Sequence, residues 1–218
     1  MNFASVKCIT IPQGDVSTIS VGGQTVWKKS KYKRELDYIE STGTQWIETG
    51  IIPTANSVII SKMAFTTNPS GTSAEQINGV SYNGRCAWGY ARSITNSKFY
   101  VGIKEKNINT NVTLDDLPHT FTINMNGNWS IDSKSGYVDS GSAMPTKTIW
   151  LFGRHTTSET PSPYLNGKIY FTQIFESENL VLDLVPVLDW DNTPCMYDKV
   201  TGELRYNQGT GEFLYGMG

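Results

Sequence analysis

Apolar and polar residues alternate with period two along most of this chain. From His119 to Asp132, Phe121, Ile123 and Met125 alternate with Thr120, Thr122 and Asn124; Asn126-Gly127 follows, then a second run holding Trp129 and Ile131. Such alternation places the apolar side chains on one face of a strand. Asn-Gly supplies the positive φ angles of a tight hairpin. The pattern recurs at Ser57–Thr67, with Ile59, Met63 and Phe65 on one face, and at Lys98–Lys106, with Phe99, Val101 and Ile103. Gly167–Ser177 is expected to direct Ile169, Phe171 and Phe175 to a common face. Gln76–Arg92 carries two Asn-Gly pairs, Asn78-Gly79 and Asn83-Gly84, each expected to turn the chain. Thr148–His155 reads as a strand followed by a Ser/Thr/Pro-rich loop to Pro163. Asn179–Asp189 is apolar enough for a strand covered on both faces, and Pro186 favours an edge or a bulge near its end. No window sustains a helical stripe. Short strands separated by turn signals predict an all-β protein, a two-sheet antiparallel jelly-roll β-sandwich, with barrel closure as the alternative.

Residues 1–34 read as a small N-terminal β module with a basic linker, and residues 35–218 as the main domain. Val6–Ile11, Val16–Val21 and Gln24–Lys29 are three short runs separated by Pro12-Gln13-Gly14-Asp15 and Gly22-Gly23, the pattern of a meander. Three strands share few apolar side chains, so this unit is expected to be marginal alone and to serve in attachment or assembly. Lys28, Lys29, Lys31, Lys33 and Arg34 follow; they read as a solvated linker or as a contact with an acidic partner surface.

Composition narrows the function. With 18 Lys and Arg against 20 Asp and Glu, the net charge is −2, which gives no field for nucleic acid or an anionic membrane. Three cysteines, Cys8, Cys86 and Cys195, are too few and too scattered for a disulfide framework or a zinc site. No apolar run has membrane-spanning length. No apolar signal segment opens the sequence, which predicts synthesis in a cytoplasm, with release by lysis or by a non-classical route for any work outside.

Two stretches carry a resemblance. Leu36–Thr54 (LDYIESTGTQWIETGIIPT) is similar to the opening of a family of jelly-roll domains found in phages and prophages. Gly167–Asp189, followed by Cys195–Phe213 (CMYDKVTGELRYNQGTGEF), is similar to the closing half. These domains resemble the concanavalin A-like, LamG-type lectin/glucanase fold. The resemblance implies a tail- or fibre-associated binding protein of the virion, its partners a bacterial surface glycan or protein and other tail proteins. A homotrimer is implied by analogy with fibre modules. A decoration or assembly protein without a host ligand is one alternative, and a glycoside hydrolase is another. The residues of the end motifs also have a purely local reading, because Gly43, Gly50, Asp198 and Gly202 suit turns.

Glucanases of such folds carry an E-x-D-x-x-E strand, which sets two acids on one face roughly 5 Å apart. This chain has no such pattern: Glu176 and Glu178 lie at an expected turn, and Asp115-Asp116 point to opposite faces. Only two histidines exist, and His119 reads as structural. A non-enzymatic protein is therefore expected. Asp183, Asp189 and Asp191 form the best acidic cluster, read either as Asx-turn residues or as a weak calcium site. Ligand-binding candidates are Arg85, Trp88, Tyr90 and Arg92 in one strand region, and Arg154 and His155 at the mouth of the long loop. Flat rings stack on sugar faces, and guanidinium groups pair with hydroxyls or carboxylates. Burial of Trp88 and Tyr90 in the core, and ordinary surface roles for Arg154 and His155, are the competing readings.

Overall fold

The computed structural model describes residues 18–21, 23–66, 75–82, 85–92, 98–104, 106–139, 141–157, 161 and 165–217. Every regular element among them is a strand. In chain order these are β1 (Thr18–Val21), β2 (Gln24–Lys28), β3 (Arg34–Glu35), β4 (Tyr38–Thr42), β5 (Ile47–Glu48), β6 (Ser57–Phe65) and β7 (Glu75–Tyr82). Next come β8 (Arg85–Arg92), β9 (Lys98–Ile103), β10 (Lys106–Thr113), β11 (His119–Asn124), β12 (Asn128–Ile131), β13 (Lys134–Tyr137) and β14 (Trp150–Leu151). The last six are β15 (Gly153–His155), β16 (Asn166–Glu176), β17 (Asn179–Leu188), β18 (Pro194–Asp198), β19 (Glu203–Arg205) and β20 (Leu214–Gly216).

The chain divides into Met1–Lys31 and Tyr32–Gly218. In the first unit the antiparallel hairpin β1–β2 is described, bulged between Ile19 and Ser20. The expected first strand of the meander, the Pro12–Asp15 turn and Cys8 lie outside the described residues. The second unit holds two sheets. One, of seven strands, runs β10-β9-β8-β7-β14-β5, with β15 also on β7. The other, of eleven, runs β13-β12-β11-β6-β16-β17-β18-β19, with β4, β20 and β3 joined to it. All pairings are antiparallel except β15 with β7. The unit is a β-sandwich whose core is the alternating apolar set. Ile47, Val80, Trp88, Phe99, Val101, Ile103 and Leu151 come from one sheet; Ile39, Ile59, Met63, Phe65, Phe121 and Ile169 are among those from the other. Phe99 joins the layers, its ring 5.1 Å from Phe121 and 5.9 Å from Trp129.

Three expectations change on folding. Asn78-Gly79 lies inside β7, and β7 and β8 are joined at Asn83-Gly84, which lies outside the described residues. The register of β16 against β6 shifts between Ile169 and Phe171. One extra residue inverts the facing of all that follows. Thr172 and Ile174 are therefore buried, and Phe171 and Phe175 are left half-buried on the other face. Pro186 is an interior residue of β17, opposite Met196 on β18. Its carbonyl accepts from the Leu36 amide just beyond the end of β3. In an antiparallel strand a residue's N–H and C=O point the same way, so the missing N–H falls where β3 has already stopped.

Lys33 and Arg34, read as part of a solvated linker or of a contact with an acidic partner, are tied to the main unit's sheet. The Lys33 amide donates to Leu188 O at 2.9 Å, and Arg34 pairs with Leu188. Large rings also lie over cross-strand glycines. A Cβ on Gly136 would come within 2.5 Å of the Trp129 indole, and one on Gly216 within 2.3 Å of the Tyr38 ring. Trp129 and Tyr38 are the register partners of those glycines, so each ring covers backbone that its partner's side chain would otherwise occupy.

Candidate functional site

The sequence candidates separate once folded. Trp88 is 1% exposed and part of the core, so it leaves the surface-binding set. Its strand opposes Tyr90 to Val101 and Arg92 to Phe99; the side chains of Arg85, Tyr90 and Arg92 lie outside the described residues. Arg154 and His155 lie on β15, across β7 from β8. Asp183, Asp189 and Asp191 do not converge on a cation. The Asp183 carboxylate accepts from Gln173 Nε2 at 3.1 Å. Asp189 Oδ1 accepts from the Asp191 and Thr193 amides, and Oδ2 from the Tyr206 hydroxyl at 3.0 Å. Asp189 is thus a turn and packing residue, and among the described residues no group of three or more His, Cys, Asp or Glu side chains could hold a metal ion. His119 is structural as expected: Nδ1 lies 2.7 Å from Asp132 and Nε2 2.9 Å from Asp115, clamping the 115–118 loop to the β11–β12 hairpin.

The strongest site is assembled from the two end motifs. Leu151 pairs with Ile47, and both face the core. Trp150 pairs with Glu48, so both project from the opposite face. Trp46 packs against Trp150 with ring centroids 4.0 Å apart and planes tilted by 34°, and His155 stacks on the Trp150 ring at 3.7 Å and 10°. Trp46 and Trp150 are 7% and 2% exposed, so the row is a packed wall whose partly exposed end is His155. Thr148 connects this wall to Glu48: its hydroxyl donates to Glu48 Oε1 at 2.8 Å and lies 3.2 Å from His155 Nδ1.

Beside Glu48, the segment after β19 folds back. Gln208 N donates to Trp46 O, Thr210 N to Thr44 O, and Trp46 N to Asn207 Oδ1. Gln45, 3% exposed, fixes the same crossing: Nε2 donates to Glu212 O, and Oε1 accepts from Thr42 N and Ser41 Oγ. Glu48, Gly50, Leu204, Arg205, Tyr206 and Gln208 consequently line one open pocket of about 270 Å³. Gly50 has φ +74°, and a Cβ there would meet Arg205 Nη1 at 3.5 Å. Arg205 Nη2 lies 3.5 Å from the buried Asp198 carboxylate and 3.5 Å from Glu203. Arg205 Nε is buried without a hydrogen-bond partner. Burial, followed by the hydrogen bond to Asp189, pushes the Tyr206 hydroxyl up to about 12. Burial, followed by the Asp189 charge, does the same to the Cys195 thiol, also to about 12.

The pocket offers a carboxylate, a guanidinium, an amide and a short apolar wall. Of the described sequence candidates, His155 approaches it through Thr148 and Asp189 through Tyr206. Glu48, Trp150, Arg205, Tyr206 and Gln208 were missed, although four of them stand in the end motifs, ETG and LRYNQ, where turn chemistry explained each residue singly. No family model matches this chain, and no curated protein sequence matches it.

Proposed function

We propose that the chain is a non-catalytic binding module of a phage or prophage tail that recognises a bacterial surface glycan through the Glu48–Arg205 pocket. The observation that carries this reading is the pocket itself, in which acceptor and donor groups meet in an open recess. At about 270 Å³ it is smaller than the roughly 300–1,000 Å³ of a drug-sized ligand site. One sugar unit of a longer polymer suits it. The Trp46–Trp150–His155 wall holds the supporting strands rigid, which lowers the ordering cost of binding. The phage setting, the concanavalin A-like jelly roll and attachment through residues 1–34 rest on the resemblance at Leu36–Thr54 and Gly167–Phe213. A non-catalytic role is supported by the lining, where Glu48 is the single carboxylate and a hydrolase needs two.

The test is binding of the purified full chain to host cells and to an array of host surface glycans. Saturable capture, lost in Arg205→Ala but kept in Lys106→Ala on the distant β10, is the expected result. A blank on cells and glycans together would overturn the reading. It would then favour a decoration or assembly protein that touches only other virion proteins.

A further inference from the structure

The charges around the pocket restrict what can enter it. Arg205 is its one cation, and its Nη2 already faces Asp198 and Glu203 at 3.5 Å each. Glu48 stands on the rim with one oxygen, Oε1, taken by Thr148. The Tyr206 hydroxyl is given to Asp189. One guanidinium is therefore outnumbered by the carboxylates of Glu48, Asp198 and Glu203. Opposite charges a few ångströms apart attract and like charges repel, the more so where solvent is excluded. A ligand carboxylate, phosphate or sulfate meets net repulsion here despite the arginine.

The hydrogen-bonding groups still open are complementary to neutral hydroxyls. Glu48 Oε2 accepts. Arg205 Nη1, turned toward Gly50, donates. Gln208 gives one amide hydrogen to Tyr206 O at 3.2 Å and keeps its own carbonyl oxygen and second hydrogen. A hydroxyl can donate to Glu48 while its neighbour on the same ring accepts from Arg205, and Leu204 offers apolar contact to the ring's C–H face.

On the reading of this pocket as a glycan site, we infer that it selects an uncharged sugar through a vicinal hydroxyl pair held between Glu48 and Arg205, and rejects acidic sugars. Gly50, with no side chain, leaves the Arg205 donor open on that side. Discrimination against the wrong charge is the usual work of such residues at a polar site.

Saturation-transfer NMR on the full chain with methyl galactoside, galacturonate and galacturonate methyl ester tests this, together with the glucose series. The neutral pyranoside and the ester are expected to bind, and the free uronate at least tenfold more weakly. Glu48→Gln, at an exposed position that leaves folding intact, is expected to weaken the neutral sugar at least tenfold and to narrow its margin over the uronate. Uronates binding as well as neutral sugars would overturn the inference while leaving the glycan module standing. So would neutral binding that is unchanged in Glu48→Gln. If cells are captured yet every sugar of the panel fails, the vicinal-hydroxyl site is refuted without touching the binding function; failure of both removes the function itself.

Discussion

Replacing Asp198 is the sharpest test of how the fold supports the pocket. Its side chain is fully buried. Oδ1 accepts from Val200 N at 3.0 Å and from Asp183 N at 3.3 Å; Oδ2 accepts from Thr201 Oγ1 at 2.9 Å and lies 3.5 Å from Arg205 Nη2. Alanine leaves two amides and a hydroxyl short of an acceptor and Arg205 without its buried counter-charge. Each hydrogen bond to a charged group contributes roughly 1.5–3 kcal/mol, and the terms are not additive. Breaking a buried ion pair from one side costs about 3–5 kcal/mol, which is the expected loss for Asp198→Ala. For a unit of this size each kcal/mol lowers Tm by about 2–4 °C, so the melt should fall by roughly 6–20 °C. Asp198→Asn keeps one acceptor oxygen and should lose about 1–3 kcal/mol. Thermal and urea unfolding followed by circular dichroism measure both. An Asp198→Ala melt within about 2 °C of wild type would refute the reasoning, because even the least costly of these losses predicts more.

Phe99→Ala empties the contact between the two sheets and should cost about 3–5 kcal/mol by the same unfolding assay. The Tyr206 hydroxyl, pushed up to about 12, is protonated more readily folded than unfolded. Its stabilising contribution is complete below the ordinary tyrosine value of about 10 and is lost as pH rises through about 12. Ultraviolet titration should find a late-ionising tyrosine that disappears in Tyr206→Phe. Asp132 is held below the usual carboxylate value: burial opposes this, and the Thr120 amide and the His119 ring outweigh it. Its contribution is present above about pH 4 and lost as pH falls through the lower folded value, so the acid slope of Tm should be shallower in Asp132→Asn. Parallel slopes for the two proteins would contradict the clamp. The Cys195 thiol, 0% exposed and pushed up to about 12, should resist a thiol reagent until the protein unfolds.

Strand identity was readable wherever alternation was clean, as at β6, β9 and β11, because a half-buried strand must segregate its side chains. The bulge after Ile169 was not readable. A single unpaired residue leaves no local mark in composition, and the alternation on either side of it looks continuous. Asn78-Gly79 misled for a related reason: the dipeptide suits a turn, but tertiary pairing with β14 and β8 held it extended. The pocket was hidden more deeply. Glu48 and Arg205 come from opposite ends of the main unit and meet only through the pairing of β5 with β14 and the return of the segment after β19. Each flank was adequately explained by local turn chemistry. Trp88 shows the converse: an aromatic beside arginines was open to both a binding and a core reading, and its register with Val80 and Ile103 fixed it in the core.

The interleaving of β3 and β4 with β16, β17 and β20 has a consequence for how the molecule comes into being. Neither flank can complete its hydrogen-bonded layer until the other has been synthesised, so folding is dominated by distant pairings, which are slow to form. Loss of the chain after Asp198 would take four of the six pocket-lining residues, Leu204, Arg205, Tyr206 and Gln208, together with β19 and β20.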